Sequence, residues 1–377
     1  VKMFMKKECY QKPNDPRPIS TINPVDKMTY SRYTYALSDH VKSNLDHYHW
    51  YAFGRSPPDI ARAIADKASL AQLTVVKSDF SRMDGRVSAV AREMENVLMM
   101  RAFHHSHHSE MYELQRSQYT VKAVSSFGIK YDTAYQRLSG SPETSIFNTF
   151  FGAFVMFLAW RMTIEHRAYV NPQDAWRRLG VYGGDDGLTF DCPIEKMRAA
   201  AAKVGQVMEG EVVNRGSMGV VFLARVYGPD VWFGDPNSCC DLPRALSKLH
   251  TTIHLPADIT PQRKLYIKLM SLSASDRYTP VLKEYIEAVC GAMGGYENDR
   301  VLNEDEIDAL TSWWSKEYGI NGFPNKEADW MKVYAIQVLP SLDLPAWQKW
   351  CQETKFPELL EPKPVSVAPT PVLKEGF

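Results

Sequence analysis

The 377-residue chain has no excess of either charge: 44 Lys and Arg stand against 44 Asp and Glu. On its face that balance argues against a nucleic-acid-binding protein. Cysteine is scarce too. There are six, scattered except for Cys239 and Cys240, with no Cys-x-x-Cys pair. A disulfide framework and a zinc ribbon are thereby excluded, and free thiols in a reducing compartment fit. No apolar run is long enough to span a bilayer, which takes about 18 residues or more. FFGAFVMFLAW (150–160) reads as a core helix instead. There is no internal repeat, no signal peptide and no initiating Met, so the expectation is a piece of a longer chain.

What is present is more telling. At 45% hydrophobic and 12% aromatic the chain can bury a large core, and its length suggests two or three subdomains. The zero net charge hides an asymmetry. Residues 1–35 hold seven basic and three acidic residues, and residues 301–360 hold five basic and ten acidic. A basic channel is compatible with a neutral total. The segment 6–20 is basic and Pro-rich and reads as a loop or irregular hairpin. Helices are expected at 29–45, 87–105 and 193–208, and a strand pair at 119–133. Residues 139–162 read as a Gly/Ser/Pro loop running into a long buried helix, with Pro142 at its start. A strand is expected at 73–80, a hairpin at 179–191 and a further strand at 219–228. The remainder to about residue 355 is expected to be mostly helical, and 357–377 a flexible Pro-rich tail.

The hairpin VYGGDDGLTF (181–190) sets Asp185 and Asp186 side by side at a tight bend. Adjacent like charges repel, and a cation would hold them. Asp79 closes another β run, and two strand ends on neighbouring strands would bring Asp79 and Asp185 to one point. All-oxygen carboxylate ligands favour Mg²⁺ or Mn²⁺ over zinc. Two such ions, roughly 3.5–4 Å apart, can clamp an in-line phosphoryl displacement. Asp84 follows in DFSRMDG, and Ser139, Thr144 and Asn148 lie in SGSPETSIFN, where polar groups could bond a ribose. Taken singly these have plainer readings: a solvated turn, a helix cap, a surface Asn. His104 and His108, read as i, i+4 on a helix, have no third ligand nearby, so a solvated helix end is preferred to a zinc site. Trp313 and Trp314 are read as packing rather than RNA contact.

In order and spacing, DFSRMD (79–84), SGSPETSIFNT (139–149) and GGDDG (183–187) resemble the palm motifs of viral RNA-dependent RNA polymerases. KKECYQKPNDPRPIS (6–20) resembles the basic fingers motif and VVFLARV (220–226) the primer-grip strand. The wording of DPRPISTINPVDKMTYSRYTYAL and GGDDGL is similar to nodavirus and nodavirus-like replicases. The likeness is good over residues 1–230; beyond that only a helical thumb is matched. One departure is Gly183, where many relatives carry an aromatic residue.

The resemblance implies an α+β right-hand polymerase with an antiparallel palm sheet. Fingers would occupy 1–72 and an insertion at 106–138, palm 73–105 and 139–228, and thumb 229–356. It implies that two Mg²⁺ or Mn²⁺ ions are held by Asp79, Asp185 and Asp186, with the Phe80 carbonyl adding a ligand. Asp84 and Asn148 would read the 2′-hydroxyl, with Ser139, Gly140 and Thr144 ordering that network. Lys6 or Lys7, with Arg17, would hold the triphosphate. A general acid for pyrophosphate would be Arg215 or Lys203, Arg215 being preferred. The implied partners are an RNA template and nascent strand, NTPs and the rest of the replicase, with a homo-oligomer left open. The implied location is a membrane-associated replication complex in the host cytoplasm, anchored from outside these residues. The alternatives are a reverse transcriptase, against which Asp84 and Asn148 speak, and an inactive polymerase-derived scaffold.

Overall fold

The computed structural model describes residues 1–8, 17–253, 255, 257, 259–294, 323–355 and 358–361. The chain divides into two compact units. One comprises Val1–Lys7, Asn14–Arg55 and Ala63–Leu223; the other comprises Glu8–Pro13, Ser56–Arg62 and Ala224–Phe377. Most of the segments expected as fingers (1–72, 106–138) and palm (73–105, 139–228) fall in the first unit, while Ser56–Arg62 and the stretch from Ala224 fall in the second.

In the first unit β1 (Lys2–Met5) pairs antiparallel with β2 (Pro18–Thr21) and parallel with β4 (Lys122–Ser125), which pairs with β5 (Lys130–Asp132). Helix α1 (Pro24–Lys42) starts where Asn23 accepts the Asp26 N–H, with Pro24 in the first turn, where a missing N–H costs nothing. Its Tyr30, Tyr33, Leu37 and Val41, spaced three and four apart, form the buried stripe. Helix α2 (Pro57–Leu70) leads to β3 (Thr74–Phe80). Then come α3 (Ala89–Ala102), α4 (His108–Arg116) and α5 (Thr144–Arg161). Helix α5 is apolar nearly all round, and most of its residues are buried.

A short ribbon, β6 (Ile164–Glu165) and β7 (Ala168–Tyr169), precedes α6 (Pro172–Arg177). The hairpin of β8 (Val181–Gly183) and β9 (Asp186–Phe190) follows, then α7 (Ile194–Lys203), β10 (Met208–Asn214) and β11 (Val220–Phe222). The central antiparallel sheet runs β10–β3–β9–β8, with α5 and α7 packed against each other and against it. Strand β3 is thus flanked by paired strands on both sides, which makes its end a rigid mount.

In the second unit β12 (Arg225–Tyr227) pairs with β13 (Ser238–Cys240). Helices α8 (Leu242–Leu249), α9 (Pro261–Asp276), α10 (Leu282–Gly294), α11 (Asp329–Val338) and α12 (Leu344–Glu353) follow. The Arg225 guanidinium meets Asp276 at 2.7 Å, and the Trp347 indole donates to the Val281 carbonyl.

Three expectations change. The single strand at 219–228 is two strands, broken where Leu223 and Ala224 both take left-handed backbone angles. His104 and His108 share no helix: α3 stops at Ala102, His104 caps a 3₁₀ turn, and His108 opens α4. The expected tail begins with structure, since Glu358–Leu360 form a 3₁₀ turn with Leu359 buried and its carbonyl bonded to the Tyr285 hydroxyl. Trp313 and Trp314 lie outside the described residues.

Candidate active site

The bend at Gly184–Asp185 joins β8 to β9, with Gly183 paired to Asp186. Gly184 has φ +72°, the left-handed angle demanded at the first central position of the two-residue turn that matches strand twist. Asp185 then projects, exposed, from the tip. The Gly184 N–H donates to Thr149 Oγ1 at 2.8 Å, and that hydroxyl donates to the Ser145 carbonyl at 2.7 Å. Helix α5 therefore holds the turn from beneath. At Gly183 the space an aromatic side chain would use is faced by Ala52 and Phe53, whose atoms lie 3.4 and 3.5 Å from where a Cβ would sit.

Strand β3 pairs with β9 through Ser78 and Gly187, so the register continues with Asp79 opposite Asp186 and beside Asp185. On its other flank Asp79 is in register with Glu209. Loss of water, then the Asp185 carboxylate, push the Asp79 pKa upward, while the Phe80 N–H opposes the shift. The Phe80 ring is buried in the core, which leaves only its backbone for the site. Among the described residues no three His, Cys, Asp or Glu side chains converge as a ready-made metal cage. Mg²⁺ seldom needs one: it is usually held through one or two carboxylates, with waters and substrate phosphates completing the shell. The hard-oxygen edge formed by Asp79 and Asp185 fits that mode.

The burial of Asp79, with the Asp185 carboxylate beside it, has a testable consequence. A folded-state pKa raised above its unfolded value means that the ionised group opposes folding at neutral pH, and the opposition fades as pH falls. Asp79→Asn should therefore raise the melting temperature of metal-free protein at pH 7. A lower midpoint would contradict the upward pressure on the Asp79 pKa from burial and from Asp185.

After β3 the chain reverses through Arg82, at φ +54°, into the 3₁₀ turn Met83–Arg86 that carries Asp84. Asn148 Nδ2 donates to Asp84 Oδ1 at 2.8 Å, and Asn148 Oδ1 accepts from Arg137 Nε at 2.9 Å. A carboxylate on one side and a guanidinium on the other leave the amide one orientation. Burial raises the Asp84 pKa, against the Asn148 hydrogen bond and the Arg137 charge.

Arg137 belongs to a buried network that sequence reasoning missed. It meets Glu95 at 2.5 Å and Glu143 at 3.1 Å, and Arg92 meets the same two carboxylates at 3.0 and 2.5 Å. Only the Arg92–Glu95 spacing on one helix hinted at it. Thr149 was missed too; it is the last polar residue before the long apolar stretch of α5.

Ser139 and Thr144 act elsewhere than expected. The Thr144 hydroxyl is spent on the Leu138 and Ser141 carbonyls, and Ser139 Oγ reaches the Pro18 carbonyl. Both shape the loop, and it is Arg137 that orders Asn148. The Gly140 N–H donates to the Ser20 carbonyl at 2.9 Å, and a Cβ there would strike that same oxygen. The loop is thus laid directly on β2. At the end of the β1–β2 pair the Lys6 N–H donates to the Arg17 carbonyl; Lys6, Lys7 and Arg17 are all exposed there.

Arg215 is a correction. Its guanidinium caps α2, donating to the Ala68, Ser69 and Ala71 carbonyls, and its N–H donates to the Leu73 carbonyl. It follows Asn214, which pairs with Thr74, five residues along β3 from Asp79, or about 17 Å at ~3.3 Å per residue. Lys203 sits at the other end: α7 finishes there, exposed, and the next loop brings the Val207 carbonyl onto the Ser81 N–H at 2.9 Å, just past Asp79.

The comparisons agree with this geometry. The fold is that of viral RNA-dependent RNA polymerases: a human picobirnavirus polymerase with a deleted insertion loop superposes with TM-score 0.64 at 16% identity, over 89% of this chain and 64% of its own. The sequence goes further. The chain is 33% identical over 347 residues to the RNA-directed RNA polymerase of striped jack nervous necrosis virus, and 32% identical over 274 residues to that of Flock house virus. These alignments cover 90% and 70% of this chain, but 33% and 26% of the relatives, so the chain spans about a third of the curated proteins it matches. No family model matches. The chain is a relative of the nodavirus RNA-directed RNA polymerases.

Proposed function

We propose that this chain carries the catalytic region of a template-directed RNA polymerase that copies positive-strand viral RNA. The observation that carries the reading is the meeting of the Asp79 strand end with the Asp185 hairpin tip, next to the Asp84–Asn148 pair. Asp79 and Asp185, supported by Asp186 and the Phe80 carbonyl, would hold two Mg²⁺ or Mn²⁺ ions. When bound, such ions lower the pKa of a primer 3′-hydroxyl and neutralise departing pyrophosphate. Lys6, Lys7 and Arg17 lie exposed at the end of the β1–β2 pair, whose β2 strand the 139–140 loop packs against, and would supply charge for the triphosphate. Template, nascent strand, NTPs and the remainder of a membrane-associated replicase are the proposed partners.

Asp84 keeps a free oxygen to accept from a ribose 2′-hydroxyl, and Asn148 keeps an N–H to donate. A deoxynucleotide would leave both unpaired, at a cost of roughly 1–3 kcal/mol. Primer extension with NTPs against dNTPs should show a strong ribonucleotide preference. That ratio should shrink by about tenfold or more in Asn148→Ala and Asp84→Ala, chiefly through poorer NTP use. An unchanged ratio would remove the sugar-reading role and leave the carboxylate site standing.

Lys203 replaces Arg215 as the proposed proton donor to pyrophosphate. Lys203→Ala should slow elongation without lowering the melting temperature, whereas Arg215→Ala should lower the melting temperature because three helix-end carbonyls lose their donor. The reverse pattern would restore Arg215.

A further inference from the structure

A cavity of about 330 Å³ opens between α3, α4 and the loop residues Tyr119, Thr120 and Tyr135. Gln115 lines it at 1% exposure, and neither its Oε1 nor its Nε2 has a hydrogen-bond partner. Asn96 Oδ1, on the same wall, is buried and also without a partner. Such orphans are rare, because a buried amide that bonds nothing opposes folding. The other walls are aromatic and cationic. The Tyr119 and Tyr135 rings lie 5.7 Å apart, the Arg92 guanidinium sits 4.9 Å over Tyr119, and Arg116 stands 5.4 Å from the Tyr112 ring.

We infer that this cavity is a nucleobase-binding site, outside the catalytic centre, that takes a nucleotide through stacking on tyrosine and pairing with the Gln115 amide. Bases stack on aromatic and guanidinium planes and are read on their edges by amide side chains; Gln facing adenine is a common pairing. Glu93, exposed on the rim, accepts from an exocyclic amino group, and Arg116 is placed at the mouth for a phosphate. The volume lies at the lower end of the roughly 300–1,000 Å³ typical of small-ligand pockets, enough for one base with its sugar. A free nucleotide and one residue of an RNA strand share this chemistry. The site holds whether or not the carboxylates bind metal.

The test uses the 377-residue chain in EDTA, so that triphosphate chemistry at the catalytic carboxylates is silent, with AMP and the pentanucleotide r(A)5 titrated calorimetrically. Saturable binding is expected, weakened at least tenfold in Gln115→Leu. That variant should melt no lower than the parent, since the orphaned amide is removed. Arg116→Ala and Tyr135→Ala, both at exposed positions, should also weaken binding, and they decide the matter if Gln115→Leu does not fold. Comparable affinity for AMP and r(A)5, both weakened in Gln115→Leu, assigns a free nucleotide; much tighter r(A)5 that is itself weakened in Gln115→Leu assigns an RNA strand at this cavity rather than in a template channel. No saturable binding of either, or parental affinity in a folded Gln115→Leu, overturns the proposal and leaves a water-filled polar cavity.

Discussion

Asp185→Asn is expected to abolish RNA synthesis while leaving the fold intact. The side chain is exposed at the hairpin tip, and the turn is held by the Gly184 N–H on Thr149, so nothing that maintains the backbone is lost. What is lost is one of the two negative charges that face each other across β3 and the turn. Asn presents one neutral oxygen where the carboxylate presents two charged ones, and a hard divalent ion discriminates strongly between them. If these carboxylates hold the proposed metal ions, the clamp on the reacting oxygens is weakened, and a barrier increase of about 4 kcal/mol corresponds to a rate loss on the order of a thousandfold. Primer extension in Mg²⁺ measures it, with the melting curve as control. Synthesis within tenfold of the parent would mean the metal centre lies elsewhere.

The second large effect is on stability. Glu143 is fully buried and takes Arg92 at 2.5 Å and Arg137 at 3.1 Å, with Gln118 Nε2 donating to its other oxygen at 3.3 Å. Burial alone would raise its pKa, but the two guanidinium groups outweigh it and hold the carboxyl at about 2, against an ordinary 4.5. Glu143→Gln leaves two buried guanidinium groups facing only Glu95, and breaking a buried pair this way costs about 3–5 kcal/mol. Urea unfolding at pH 7 should register that loss. The sign of the pH dependence follows from the same shift. A depressed carboxyl pKa stabilises above the unfolded value, and that contribution disappears as pH falls from about 4.5 towards 2. The parent should therefore lose stability across that window, and Glu143→Gln should lack this component. Equal acid profiles would show that the network contributes no linkage. Because Arg137 also orients Asn148, the variant should discriminate less between ribo- and deoxynucleotides under conditions where it remains folded.

Local chemistry made part of this protein legible without any structure. The helix expected at 29–45 is there, but it starts five residues earlier, at Pro24, where Asn23 caps the first turn, a local signal that sequence reasoning passed over. Gly184 announces the bend, because few other residues tolerate its backbone angle, and apolar residues nearly all round α5 announce a buried helix. The order of the carboxylate motifs likewise pointed to Asp79 beside Asp185, since strand ends in one sheet leave few ways to arrange them. Tertiary structure alone decided the rest. Along the chain Arg215 and Lys203 were both candidates, with Arg215 preferred; the register of β10 on β3 sends Arg215 to the far edge of the sheet and leaves Lys203 at the end that carries Asp79. Thr149 and Ser145 share a helix turn, but only packing puts the Gly184 N–H on that hydroxyl. Arg92 and Glu143 are fifty-one residues apart, and no periodicity links them. Backbone angles and caps are set by neighbours in sequence. Charges in a low-dielectric interior are set by whatever the fold brings within about 3 Å, which is why the helices and the turn could be read and the network beneath the site could not.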